Sequence, residues 1–184
     1  DILENPMKWY FYAANNAKGI AQRQGFPGVR WMKMTDPAAG EAPSNVGSYL
    51  IWQQPHVIYL AELLYRAADN DVRRKAVLDA YACLVDLTAL FMGRFAEYDS
   101  VADRFIIRGC IPAQETLKAD STINPPFERA YWYTALDMAR KWRERRGEEP
   151  VARWDSIIAK LSPLAYNADS LYLAAETATA TYTD

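Results

Sequence analysis

The chain has 184 residues, 51% of them apolar, 13% aromatic and 24% charged, so it can bury a sizeable core and falls outside the disordered class. Its 21 Lys and Arg against 23 Asp and Glu give a formal charge of −2 with no long run of like charge, which argues against a nucleic-acid partner or a membrane-surface grip. Nothing approaches the roughly 18 consecutive apolar residues of a membrane span, and no basic stretch leads into an apolar one as in a signal peptide.

The opening at Asp1 leaves room for a removed upstream segment and, with it, a periplasmic or extracellular location. Cys83 and Cys110 follow no metal or redox spacing, and His56 is the sole histidine, which excludes a multi-histidine metal site. No cofactor is expected.

Helical periodicity runs through almost the whole chain. Asn5 is placed to cap a first helix with Pro6 at its first position, and Met7, Tyr10, Phe11, Ala14, Ala17 and Ala21 then share a face up to Gly25. Residues 26–48 break the pattern with Pro27, Gly28, Pro37, Gly40, Pro43 and Gly47, a loop long enough to need a functional reason. Val57, Leu60, Ala61 and Leu64 define a helix from about Pro55 to Ala68. After a turn at Asn70 and Asp71, a strongly apolar helix from about Val72 to Tyr98 completes an antiparallel hairpin.

Residues 99–126 are again irregular, with Arg104 to Ile107 readable as extended. A helix from Pro126 carries Phe127, Ala130, Tyr131, Met138 and Trp142 on one stripe and ends in Arg143, Arg145, Arg146 and Gly147. A shorter helix presents Trp154, Ile157, Ile158 and Leu161. The tail from Ala165 holds Tyr172 and Leu173 as a short strand or irregular packing.

Three polar clusters sit on the long loops or at helix starts: Arg30, Trp31, Met32 and Lys33 with Glu41; Trp52, Gln53, Gln54, Pro55 and His56; and Pro112, Ala113, Gln114 and Glu115 with Asn124 and Glu128. Loops on a rigid scaffold are where binding and catalysis concentrate. A carboxyl group flanked by Trp, Gln and Asn suits glycoside chemistry, where an acid protonates the leaving oxygen while amides and rings orient the sugar. Each residue also has a purely structural use. Six Trp, twelve Tyr and six Phe serve cores as readily as sugar faces. His56 and the glutamines can satisfy helix-start backbone, Arg30 can clamp its loop, and Glu128 suits the positive end of its helix.

In order and spacing the clusters resemble a known family. Gly28-Val29-Arg30-Trp31-Met32-Lys33-Met34, then Gly40-Glu41, then Gln54-Pro55-His56 opening an apolar helix, is similar to the loop and helix of six-hairpin glycosidases, with family 65 glycoside hydrolases and disaccharide phosphorylases nearest. Ile111-Pro112-Ala113-Gln114-Glu115, followed by Asn124 and an aromatic helix, is similar to that family's Gly-Pro-Asp-Glu segment. The resemblance implies an all-α fold of helical hairpins forming part of an (α/α)6 toroid, with long active-site loops.

It further implies Glu115 as the general acid, with Trp31, Lys33, Gln54, His56 and Asn124 as substrate-binding residues; Glu41 and Trp52 join them from the same clusters. Pro-Ala-Gln in place of Gly-Pro-Asp, and Trp31-Met32-Lys33 in place of aromatic-Pro-Trp, leave the sugar preference open. About five helices are legible where the family's barrel has twelve. Residues 1–184 are therefore expected to be one segment of a catalytic domain, completed by the remainder of a parent polypeptide and inactive in isolation.

The activity expected is inverting hydrolysis of an oligosaccharide; phosphorolysis is the alternative within the enzyme class. For the base, the tail after Asp169 offers only Glu176 and Asp184, neither convincing. Outside the enzyme class, the same aromatic loops suit a non-catalytic α-helical module for glycan binding or protein interaction.

Overall fold

The computed structural model describes residues 2–112 and 117–182. Five helices, α1 (Glu4–Arg23), α2 (His56–Ala67), α3 (Asp71–Phe95), α4 (Pro126–Arg145) and α5 (Ala152–Lys160), pack around α3, which touches each of the other four. A short antiparallel hairpin of β1 (Glu97–Asp99) and β2 (Arg104–Ile106) lies between α3 and α4.

The helix ends follow local chemistry. Asn70 caps α3 by accepting the Arg73 N–H at 2.9 Å, and Pro126 stands at the first position of α4. At the end of α4, Gly147 takes φ +70°; the N–H groups of Glu148 and Gly147 return to the carbonyls of Arg143 and Glu144, satisfying the last turn. At the N-terminus the helix begins at Glu4, with Leu3 in helical conformation at the cap position, so Asn5 lies inside α1 and does not cap it.

The α2–α3 hairpin forms where the spacing places it. Its second helix stops at Phe95 because Glu97 to Asp99 leave it to pair with Arg104 to Ile106. By length and composition α3 would suffice to cross a membrane; here it is the central helix, with Leu84, Val85, Ala89, Phe91 and Met92 buried.

The stripe on α4 is rotated from the expected one. Trp132, Ala135, Leu136, Ala139 and Trp142 are fully buried, while Phe127 is 54% exposed and Tyr131 half-buried. The two tryptophans explain the choice, because each indole N–H finds an acceptor inside the core: Trp132 donates to the Met92 carbonyl at 3.0 Å and Trp142 to Glu62 at 2.7 Å. Glu62, buried on α2, also accepts both nitrogens of the Arg145 fork, and these hydrogen bonds overcome its desolvation and hold its carboxyl below the usual range. On α1, Met7, Ala13, Ala17, Ile20 and Ala21 are buried, whereas Phe11 is 45% exposed and stacks on Tyr81.

Candidate functional site

The loop between α1 and α2 is tied down from within. At Gly28, φ is +79°, and a Cβ there would stand 2.2 Å from the Leu87 carbonyl of α3, so only glycine lets the loop come this close. Two residues on, Arg30 is 1% exposed and donates to the carbonyls of Leu50 (2.7 Å), Ser48 (3.3 Å) and Trp31 (3.3 Å), and to Gln54 Oε1 at 3.4 Å. Burial lowers its pKa to about 10.

Gln54 works both ways: its Oε1 accepts the Trp31 N–H at 2.8 Å and its Nε2 donates to the Val29 carbonyl at 2.7 Å. Gln53 Nε2 donates to the carbonyls of Trp31 and Leu50, both at 2.9 Å. The Trp31 indole N–H reaches Thr88 of α3 at 2.9 Å.

The second loop meets the first at Leu50, which bridges to Ile111, and the Ile111 N–H donates to the Tyr49 carbonyl at 3.0 Å. Its ends are held by Asn124. The Ile107 N–H donates to Asn124 Oδ1 at 2.8 Å, the Asn124 N–H to the Ile107 carbonyl at 2.7 Å, and Asn124 Nδ2 to Glu176 Oε2 at 2.7 Å. Asn124 adopts φ +51°, a left-handed conformation that asparagine tolerates better than most residues. Cys110 lies fully buried beside this junction, where burial, with the Glu128 charge in support, pushes its thiol up to about 12.

The first turns of α2 and α4 lie side by side. His56 Nδ1 shares a hydrogen bond of 2.9 Å with the Tyr131 hydroxyl, and partial burial lowers the imidazole pKa, which favours the neutral ring. Trp52 meets His56 edge-on at 5.5 Å, and Tyr59 and Phe127 flank Tyr131 at 6.3 and 5.7 Å. His56, Tyr59, Phe127, Ala130, Tyr131 and Thr134 line a cleft of about 380 Å³.

A second cleft of about 500 Å³ opens between the two loops, lined by Tyr49, Gly109, Ile111, Leu117, Lys118 and Asp120 among others. Among the described residues, the buried Trp52 indole N–H and the Gln53 amide oxygen have no hydrogen-bond partner. A donor and an acceptor left open in this way suit a hydroxyl group or a water.

A larger cleft, about 680 Å³, lies at the opposite end of α2 and α4. Its cations are spoken for: Arg74 pairs with Asp71, Lys75 with Asp79, Arg145 with Glu62, and Arg146 with Asp86 and Glu148. Its charges are neutralised in place, although among the described residues the buried Arg146 Nε, like the Trp52 N–H and the Gln53 oxygen, has no hydrogen-bond partner.

The expected site residues therefore fall into three groups. His56 and Trp52 stand at the aromatic cleft, and Lys33 is exposed on the first loop. Trp31, Gln54 and Asn124 are buried with their polar atoms engaged inside the chain, where they hold the loops, and Glu41 pairs with Arg23 at 2.6 Å on the surface. Glu115 lies outside the described residues, as does Asp184, while Glu176 is committed to Arg104 and Asn124.

The apolar stripe expected on α4 puts Tyr131 in the core, whereas Tyr131, Tyr59 and Phe127 line this cleft. The signal available was the i, i+3 spacing of His56 with Tyr59 and the i, i+4 spacing of Phe127 with Tyr131.

No family model matches the chain, and no curated protein matches it. Among solved structures it is similar to one described as "Putative kojibiose phosphorylase from human microbiome", with a TM-score of 0.69 and 15% identity over 89% of this chain. The match spans 24% of that longer chain, about a quarter of its length. The fold is thus all-α, built of helical hairpins that correspond to part of an (α/α)6 barrel.

Proposed function

We propose that this chain is a segment of a carbohydrate-active enzyme that cleaves a glycosidic bond of an oligosaccharide with inversion, using Glu115 as general acid. The observation that carries the reading is the meeting of the loops at one end of the helices. Residues 28–33, residues 50–56 and the junction of Ile107, Ile111 and Asn124 come together there beside the aromatic cleft. Rings at its wall suit the apolar faces of a sugar, with the unpartnered Trp52 N–H buried behind His56.

In this reading His56, Trp52 and Lys33 contact the sugar, while Trp31, Gln54 and Asn124 keep the loops in place. The fold likeness to a chain described as a "Putative kojibiose phosphorylase" supports phosphorolysis, with inorganic phosphate in place of water, as the alternative to hydrolysis. Other parts of a parent polypeptide would close the barrel and, for a hydrolase, supply the base across about 6.5–9.5 Å from the acid. The 184-residue chain by itself leaves the sugar open to water and is expected to turn over little or nothing.

The test is Glu115→Gln in the catalytically competent polypeptide, assayed on disaccharides with and without added phosphate. The acid role predicts a loss of about a hundredfold or more in kcat on substrates with poor leaving groups, with binding retained and the rate partly restored by a good leaving group. An unchanged kcat with weakened binding would make Glu115 a hydroxyl ligand. Dependence of turnover on phosphate separates phosphorylase from hydrolase.

A further inference from the structure

The C-terminal tail crosses back over the second loop. Leu173 and Ala175 are buried, which anchors it. The Glu176 N–H donates to the Ile123 carbonyl at 2.9 Å, the Ile123 N–H to Thr177 Oγ1 at 3.2 Å, and Thr177 Oγ1 to the Ser121 carbonyl at 2.6 Å. The Glu176 side chain then joins both ends of the loop. It accepts two hydrogen bonds from the Arg104 fork of β2, at 2.7 and 3.1 Å, and one from Asn124 Nδ2 at 2.7 Å.

Arg104 and Asn124 are neighbours across the loop's neck, where Ile107 and Asn124 exchange their own two bonds and Arg108 bridges to Ile123. Residues 108–112 leave and residues 117–123 return through a neck that three parts of the chain close together. The arrangement is far more than a surface ion pair, because its acceptor oxygens are shared by a planar guanidinium and a buried amide.

We propose that Glu176 is a positioning residue, locking the neck of the loop that carries Glu115, so that the chemistry at this loop requires the C-terminal tail. The inference rests on the reading of Glu115 given above. Among the described residues, the charged groups facing Glu176 are Arg104, and Asp99 of β1, whose nitrogen-to-oxygen distance to Arg104 is 3.7 Å. Burial and the Asp99 charge raise the Glu176 carboxyl, but the hydrogen bonds from Arg104 and Asn124 and the Arg104 charge outweigh them and hold it below the ordinary value. The charged clamp is therefore complete at neutral pH and is lost as pH falls through that lowered value.

The proposal is tested first by amide hydrogen exchange on the 184-residue chain, corrected for intrinsic rates across a pH series. In the native protein, protection at residues 117–124 is expected to fall with acidification while α3 stays protected. In Glu176→Gln, which keeps the shape and loses the charge, exchange there should already be about tenfold faster at neutral pH and lose that pH dependence. Exchange at 117–124 identical to the native protein overturns the proposal, whatever the sugar chemistry turns out to be.

The second readout is turnover by the competent polypeptide, where positioning predicts a lower kcat with KM unchanged, partly rescued by Glu176→Asp. A loosened neck with kcat intact, alongside a dead Glu115→Gln, overturns the positioning role and leaves the acid standing. A loosened neck with lowered kcat, alongside an active Glu115→Gln, supports the lock and moves the acid elsewhere.

Discussion

Both long loops are held by hydrogen bonds to polar side chains, but of opposite kinds. The loop before α2 is held by Arg30, Gln53 and Gln54, all buried and bonded mostly to backbone carbonyls. The loop after β2 is held by Asn124 together with Arg104 and Glu176, whose side chains are 29% and 31% exposed. A buried, neutral-acceptor network can be broken only by exposing the core beneath it. A network that ends in an ion pair about a third exposed can open at that pair while the helices stay folded. The first loop is therefore expected to unfold only with the core, and the second to open more readily where the Arg104–Glu176 pair closes its neck.

The largest effect that would sharpen this contrast is expected from Gly28→Ala. The added methyl meets the Leu87 carbonyl and forces a positive φ on a residue that resists it, so global stability in urea should fall by about 3 kcal/mol. A change confined to local exchange in residues 26–50 would break the comparison. Gln54→Met comes next. It keeps the volume but strands the Trp31 N–H and the Val29 carbonyl, and should lower the urea-derived stability by about 2 kcal/mol with the denaturant slope unchanged. The smallest is Glu41→Ala. The Arg23–Glu41 pair ties the same loop to the end of α1 but is exposed, so its loss should stay within about 0.5 kcal/mol. A larger loss would mean that burial is not what separates the two kinds of contact.

The same contrast explains what could be read from the sequence. The α2–α3 hairpin, the Pro126 start and the extended Arg104 to Ile107 follow from spacing, since an apolar stripe, a proline or a β-rich run acts locally. The loop residues do not. Gln54 and Asn124 have the same chemistry whether they bind a sugar hydroxyl or a backbone carbonyl, and only the folded chain shows that Val29, Trp31 and Ile107 reach them first. The α4 stripe was misplaced because Phe127, Ala130 and Tyr131 are as apolar as the true core face. What chose between the faces was an acceptor for each indole, Met92 on α3 and Glu62 on α2. Glu176 gave no local signal at all, because its partners are some fifty and seventy residues away in the chain.

The two thiols divide along the same line and turn it into a chemical clock. Cys83 lies exposed on α3, open to a maleimide or a dye under native conditions. Cys110 sits fully buried at the junction of the loops, its ionisation opposed by burial and by the Glu128 charge. Alkylation of Cys83 therefore marks the folded molecule without disturbing it, and the much slower alkylation of Cys110 measures how often the seam between the loops comes apart.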